Sequence, residues 1–94
     1  MPIETTTRVV RLEGLQTANV DDDIVILNMT TNNYIALNDI GRRIWELIET
    51  PRHVEELCAQ LTDEFNGVPE RIQVDVLSFL NELENEKLLR VVDE

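Results

Sequence analysis

A strand that runs directly into a helix is the feature that most constrains this chain. Residues 33–47 read NYIALNDIGRRIWEL. Tyr34-Ile35-Ala36-Leu37 has the pattern of a short strand, and Asn38-Asp39 leaves nothing over for a loop. Either polar side chain can cap the helix, because its oxygen accepts a hydrogen bond from a first-turn N–H that has no partner inside the helix. The strand end and the helix start are therefore fixed together. Inside the helix Ile40, Ile44, Leu47 and Ile48 recur at helical spacing and form one apolar stripe, with Trp45 at its border. Gly41 caps nothing at that position, so its expected use is to admit another element close to the helix.

Upstream, residues 15–20 and 24–29 read as two further strands. Asp21-Asp22-Asp23 separates them with turn-forming residues, and Thr30-Thr31-Asn32-Asn33 makes the second turn, where asparagine accepts positive φ. The three strands form an antiparallel meander. Ile24-Val25-Ile26-Leu27 is continuously apolar, which places its strand in the centre and leaves residues 34–37 at an edge. An edge strand presents unpaired N–H and C=O groups, either a liability or a docking rail. Arg8-Val9-Val10-Arg11-Leu12 carries only a weak extended pattern, and residues 1–8 are expected to be disordered.

Downstream, proline after Thr50 ends the first helix. A second helix over residues 53–65 aligns Val54, Leu57, Cys58, Leu61 and Phe65, and Asn66-Gly67 closes it with a left-handed residue. Pro69 opens a third helix over residues 69–86, because a first-turn position needs no N–H. Ile72, Val76, Phe79, Leu80 and Leu83 make its core face, while Val74 and Leu77 project elsewhere with Ser78 and Asn81. Residues 88–92 close the chain as a short apolar strap. The fold class is α+β: a three-stranded antiparallel sheet followed by three helices, similar to a winged helix-turn-helix, in one domain spanning residues 1–94.

Chemistry is scarce. Gly14, Gly41 and Gly67 are isolated, so there is no glycine-rich phosphate loop. Cys58 is the lone cysteine and lies on an apolar stripe, where it reads as a small buried hydrophobe. His53 is the lone histidine, at a helix start, and reads as a capping or surface residue. No catalytic set, metal site or cofactor site is expected, and the chain is not expected to be an enzyme. No apolar run reaches membrane-spanning length, and a cytoplasmic protein is expected.

Two binding classes fit the pattern. A winged-helix DNA-binding regulator would use the third helix for recognition, but residues 69–87 carry Arg71 and Lys87 against Glu70, Asp75, Glu82, Glu84 and Glu86, within a chain of net charge −11. That balance repels phosphate and anionic lipid, so neither nucleic acid nor membrane is an expected partner. In the second class, a peptide-binding module, an extended segment adds to the 34–37 edge and lays side chains against the third helix.

Tyr34-x-x-Leu37-Asn38-x-x-Gly41-x-x-Ile44-Trp45-Glu46-Leu47, Pro51-Arg52-x-Val54-Glu55-Glu56-Leu57, Asp75-Val76-x-x-Phe79-Leu80-x-x-Leu83 and Leu88-Leu89 together resemble the PqqD family of peptide-modification chaperones, the RiPP recognition elements. The resemblance covers residues 15–92. It departs at His53, where the family often has a threonine cap, and at Glu86-Lys87, which replaces a usual glycine. The Ile44–Leu47 helix is more similar to the lasso-peptide branch. That resemblance implies a standalone protein that binds the leader of a ribosomally made precursor and presents it to a cysteine leader peptidase and an ATP-dependent cyclase. The alternative is a PqqD-type chaperone serving a radical SAM enzyme. The implied mechanism is β-augmentation, with the leader antiparallel to the edge. The expected contacts are Asn33, Tyr34, Ile35, Ala36 and Leu37 on the strand. On the third helix they are Arg71, Val74, Leu77 and Ser78, with Asp75 facing a basic leader side chain. Asp75 and Leu77 lie on opposite flanks of the core face, and replacing Leu77 by Asp is expected to weaken leader binding.

Overall fold

Alternation along residues 16–37 sends one set of side chains inward and the other outward, and an antiparallel meander follows. The computed structural model describes residues 3–13, 15–21 and 23–92. Its strands β2 (Gln16–Val20), β3 (Asp23–Asn28) and β4 (Asn33–Leu37) pair in the order β2-β3-β4, with Ala18 opposite Val25 and Val25 opposite Ala36. Ile26, Ile35 and Leu37 enter the core under three helices, α1 (Asp39–Leu47), α2 (Val54–Phe65) and α3 (Pro69–Asn85). The expected central and edge strands are thus in place. Asn32 takes φ 60° in the turn and Asn66 takes φ 51° at the end of α2. Asp22 and Gly14 lie outside the described residues.

A second antiparallel sheet is the main addition to the expected architecture. β1 (Arg8–Arg11) sits between β5 (Arg52–His53) and β6 (Leu89–Val91), pairing Arg8 with His53 and Val10 with Arg90. The weak extended pattern at Val9-Val10 and the terminal apolar strap are therefore two strands of one sheet, drawn together because Val9 and Leu89 are buried.

The expectation of disorder over residues 1–8 is corrected for residues 3–8. Ile3 is 4% exposed, and its N–H donates to Asn81 Oδ1 at 3.3 Å. The Val54 and Glu55 N–H groups donate to the carbonyls of Thr7 and Thr5, both at 2.9 Å. Those donors belong to the first turn of α2 and have no intrahelical acceptor, so a polar, threonine-rich arm gains partners there instead of fraying. Met1 and Pro2 lie outside the described residues. His53 is the N-cap of α2, and its N–H donates to the Glu56 carboxylate at 3.2 Å. Phe65, expected on the α2 stripe, is 38% exposed because it is the last helical residue and the core ends a turn earlier, at Leu61. Cys58 is half-buried against the core, and burial raises its thiol pKa.

Lys87 explains the departure from the family's glycine. It takes φ 58°, its N–H donates to the Glu84 carbonyl, and the next N–H, of Leu88, donates to Leu83, both at 2.9 Å. This is a Schellman closure of α3, whose left-handed residue is normally glycine because a Cβ is unfavourable there. Lys87→Gly is expected to raise unfolding free energy by about 0.5–1 kcal/mol, the scale of such backbone substitutions, read from urea denaturation midpoints.

Between α1 and α2, Arg43 donates from Nε and Nη2 to the two Glu64 oxygens at 2.8 and 3.0 Å. That contact, helped by the Gln60 amide, holds the Glu64 carboxyl down to about 2 from an ordinary 4.5. A lowered folded-state pKa stabilises fully above the unfolded value and is lost as pH falls through the folded one. Glu64→Gln is therefore expected to be less stable than the native chain at neutral pH and to converge with it between pH 4.5 and about 2.

Candidate peptide-binding site

Asn38 is the N-cap of α1: its Oδ1 accepts from the Gly41 N–H at 2.7 Å. A Cβ on Gly41 would stand 3.2 Å from that oxygen and 3.5 Å from the Phe79 ring. The glycine therefore lets α3 lie against the start of α1, as its position inside the helix implies. At the other end of β4, Asn28 Nδ2 donates to the Glu86 carbonyl at 2.8 Å and Asn33 Nδ2 to the Glu86 carboxylate at 3.1 Å. These two anchors settle the direction. α3 runs beside β4, with Glu86 near Asn33 and Phe79 near Asn38.

Where the end of β4 passes into α1, a cleft of about 260 Å³ lies between the start of α1 and α3, lined by Asn38, Ile40, Gly41, Ile44, Asp75, Ser78, Phe79 and Glu82. A volume below the ~300 Å³ of a small-molecule site suits a few side chains of a longer ligand. β4 lies at the edge of its sheet, so alternate residues of Asn33–Leu37 turn their backbone groups away from β3. The unpaired rail thus leads to the cleft at Asn38. β2 is the other edge, but it pairs with β3 on the side away from β4. The outward side chains of the sheet, Ala18, Val20, Val25, Leu27, Tyr34 and Ala36, make a second, apolar face, with Tyr34 67% exposed.

The ten residues expected to contact a peptide divide unevenly. Asn33, Tyr34, Ile35, Ala36 and Leu37 form β4, with Ile35 and Leu37 buried in the core and Tyr34 and Ala36 outward. Asp75 and Ser78 line the cleft, and at 100° per residue Arg71 falls on the same flank of α3. Leu77 does not. It packs against the core on the opposite flank, where its carbonyl accepts from Asn81 Nδ2 at 2.8 Å and the Ile3 arm lies alongside. Val74 is 65% exposed and projects away from the cleft lining. Phe79, Glu82 and Ile40 join the site. Phe79 is half-buried, so its place on the core face is only partly right. The spacing of Asp75, Phe79 and Glu82 could have found them, had the flank been known.

Among the described residues no three His, Cys, Asp or Glu side chains are placed to hold a metal, and no helix is long and apolar enough to cross a membrane.

A helix-flanked cleft and a free sheet edge, in a winged-helix architecture, are the parts that a strand-adding peptide-binding module uses. The family described as coenzyme PQQ synthesis protein D (PqqD) matches residues 23–89, and the chain belongs to it. It is a family of non-catalytic peptide-binding modules, and the chain is not an enzyme. A solved structure described as TbiB1 in complex with the TbiA(beta) leader peptide is similar over 90% of this chain and 99% of its own, at 28% identity and a TM-score of 0.72. No curated protein matches the chain.

These findings correct the branch assignment. The match is to the family named for coenzyme PQQ synthesis, and neither description contains a leader peptidase or a cyclase. The lasso-peptide assignment, and the cysteine leader peptidase and ATP-dependent cyclase that it implied, give way. The reason is physical. Ile44, Trp45 and Leu47, which carried that likeness, are all buried in the core, so they report how α1 packs and not which enzyme receives the peptide.

Proposed function

We propose that the chain is a recognition protein that binds the leader segment of a ribosomally made precursor by β-augmentation along β4 and presents it to a separate maturation enzyme. One observation carries this reading: β4 offers an unpaired edge that ends at Asn38, in the lining of the cleft against α3. The leader complex recorded for TbiB1 supports it. Of the two maturation routes, the family match favours the PqqD-type chaperone, which serves a radical SAM enzyme. The cytoplasm, where precursors are translated, is the proposed compartment.

A five-residue edge offers about four to six backbone hydrogen bonds, each contributing roughly 0.5–1.5 kcal/mol net. Two buried apolar anchors add about 1.5–3 kcal/mol each. After the ordering of a disordered leader is subtracted, a dissociation constant between about 1 µM and 1 nM lies within the range these terms allow. Acidic residues along the cleft flank, Asp75, Glu82 and Glu86, oppose DNA as the ligand of α3.

The test is an anisotropy titration with a labelled leader peptide, using a DNA duplex as control. Ser78→Arg, which fills the cleft and pairs with its carboxylates, is expected to weaken leader binding at least tenfold, about 1.4 kcal/mol. Val74→Asp is expected to leave affinity unchanged. Leu77→Asp, expected from the sequence to weaken binding, now tests the flank: unchanged affinity agrees with the cleft beside Asp75. Duplex binding without leader binding would refute the proposal.

A further inference from the structure

The charge in the cleft is one-sided. Asp75 and Glu82 stand on its α3 wall, and its floor is made by Ile40, Ile44 and Phe79, with no cationic side chain in the lining. Neither carboxylate forms an ion pair among the described residues, and Arg71, one turn before Asp75, does not reach it. A third acid on this flank, Glu86, is already engaged by the Asn33 amide at the opposite end of β4. The two uncommitted acids are thus gathered at the Leu37–Asn38 end, over an apolar floor.

A side chain suited to this place has an aliphatic stem for the floor and a cationic head for the rim, which is how lysine and arginine lie along protein surfaces. We infer that the cleft selects a lysine or arginine in the leader, at the amino-terminal end of the segment that pairs with β4. The position follows from direction. In an antiparallel pair the leader's first paired residues oppose Leu37, next to Asn38 and the cleft, and its last oppose Asn33. Side chains alternate, so the selected residue points toward α3 while its two neighbours point to the outer apolar face with Tyr34 and Ala36. An acidic leader residue there is excluded by like charge. This inference rests on the proposed leader recognition and adds what the site recognises.

The experiment selects a yeast-displayed library of random twelve-residue peptides on the whole domain and titrates the enriched peptides. They are expected to share a lysine or arginine near the amino-terminal end of an alternating apolar segment. Asp75→Asn combined with Glu82→Gln is expected to weaken them about tenfold, ~1.4 kcal/mol, and to flatten their salt dependence. Glu70→Gln, a charge change outside the cleft lining, is expected to leave them unaltered. Replacing the basic residue by norleucine is expected to cost the same on the native domain and nothing further on the double variant, as two coupled groups require. Enriched peptides without a basic preference, or with one that survives in the double variant, would overturn the inference while leaving leader recognition standing. If no peptide is enriched, both fail.

Discussion

Trp45→Ala is expected to remove about 3–5 kcal/mol of folding free energy, the range for deleting a large buried aromatic. Trp45 is 6% exposed, and Arg11 of the second sheet stacks over its ring at 5.1 Å while donating from Nη1 to its carbonyl at 3.1 Å. The ring therefore joins α1 to β1, and its loss opens a cavity and removes the stacking, while the Trp45 carbonyl and Glu49 still hold the arginine. A domain of this size has about 5–15 kcal/mol in total, so the variant loses a large share of it. Trp45→Phe keeps most of the packing and is expected to lose about half as much. Trp45 is also the lone tryptophan, so unfolding in urea is followed by far-ultraviolet circular dichroism instead of fluorescence. A loss below 1 kcal/mol for the alanine variant would mean that the two sheets are held together by other contacts.

The second large effect concerns the ligand's backbone. Methylating leader amides at alternate positions removes donors and adds bulk along one edge of the bound strand. If the methylated amides face β4, two or three hydrogen bonds are lost at about 0.5–1.5 kcal/mol each, and affinity falls between about fivefold and two-thousandfold. Shifting the methyl groups by one residue turns them to solvent and is expected to leave affinity nearly intact. This pairwise contrast is specific to strand addition, because a helical or side-chain-only mode has no alternation of period two.

The periodic elements were legible in the sequence. Ile72, Val76, Leu80 and Leu83 repeat at helical spacing and are buried in α3, and the four-residue aliphatic run at Ile24 lies in the central strand. Asn66 and Gly41 were legible for a stricter reason, since each occupies a position that few other residues tolerate. The second sheet was not. Its strands are two to four residues long and pair across large separations, Arg8 with His53 and Val10 with Arg90, and so short a run has no period to read. The arm at Ile3 was hidden likewise, because its partners on α2 are backbone groups, which sequence does not distinguish. The cleft was half legible. Helical rotation separated Asp75 from Leu77, but the choice between them depends on the Asn28–Glu86 hydrogen bond, whose partners are far apart in the chain. The likeness of the Ile44–Leu47 helix to one branch of the family misled for the same reason that it was visible: core packing is periodic, and partner choice is not.

The most direct test of the central claim is an amide chemical-shift titration of the labelled domain with a leader peptide. Sub-micromolar binding is expected, with shifts concentrated on Asn33, Tyr34, Ile35, Ala36 and Leu37 and on the α3 flank at Asp75, Ser78, Phe79 and Glu82. Shifts centred instead on Leu77 and Asn81, or on β2 with β4 unmoved, would contradict it.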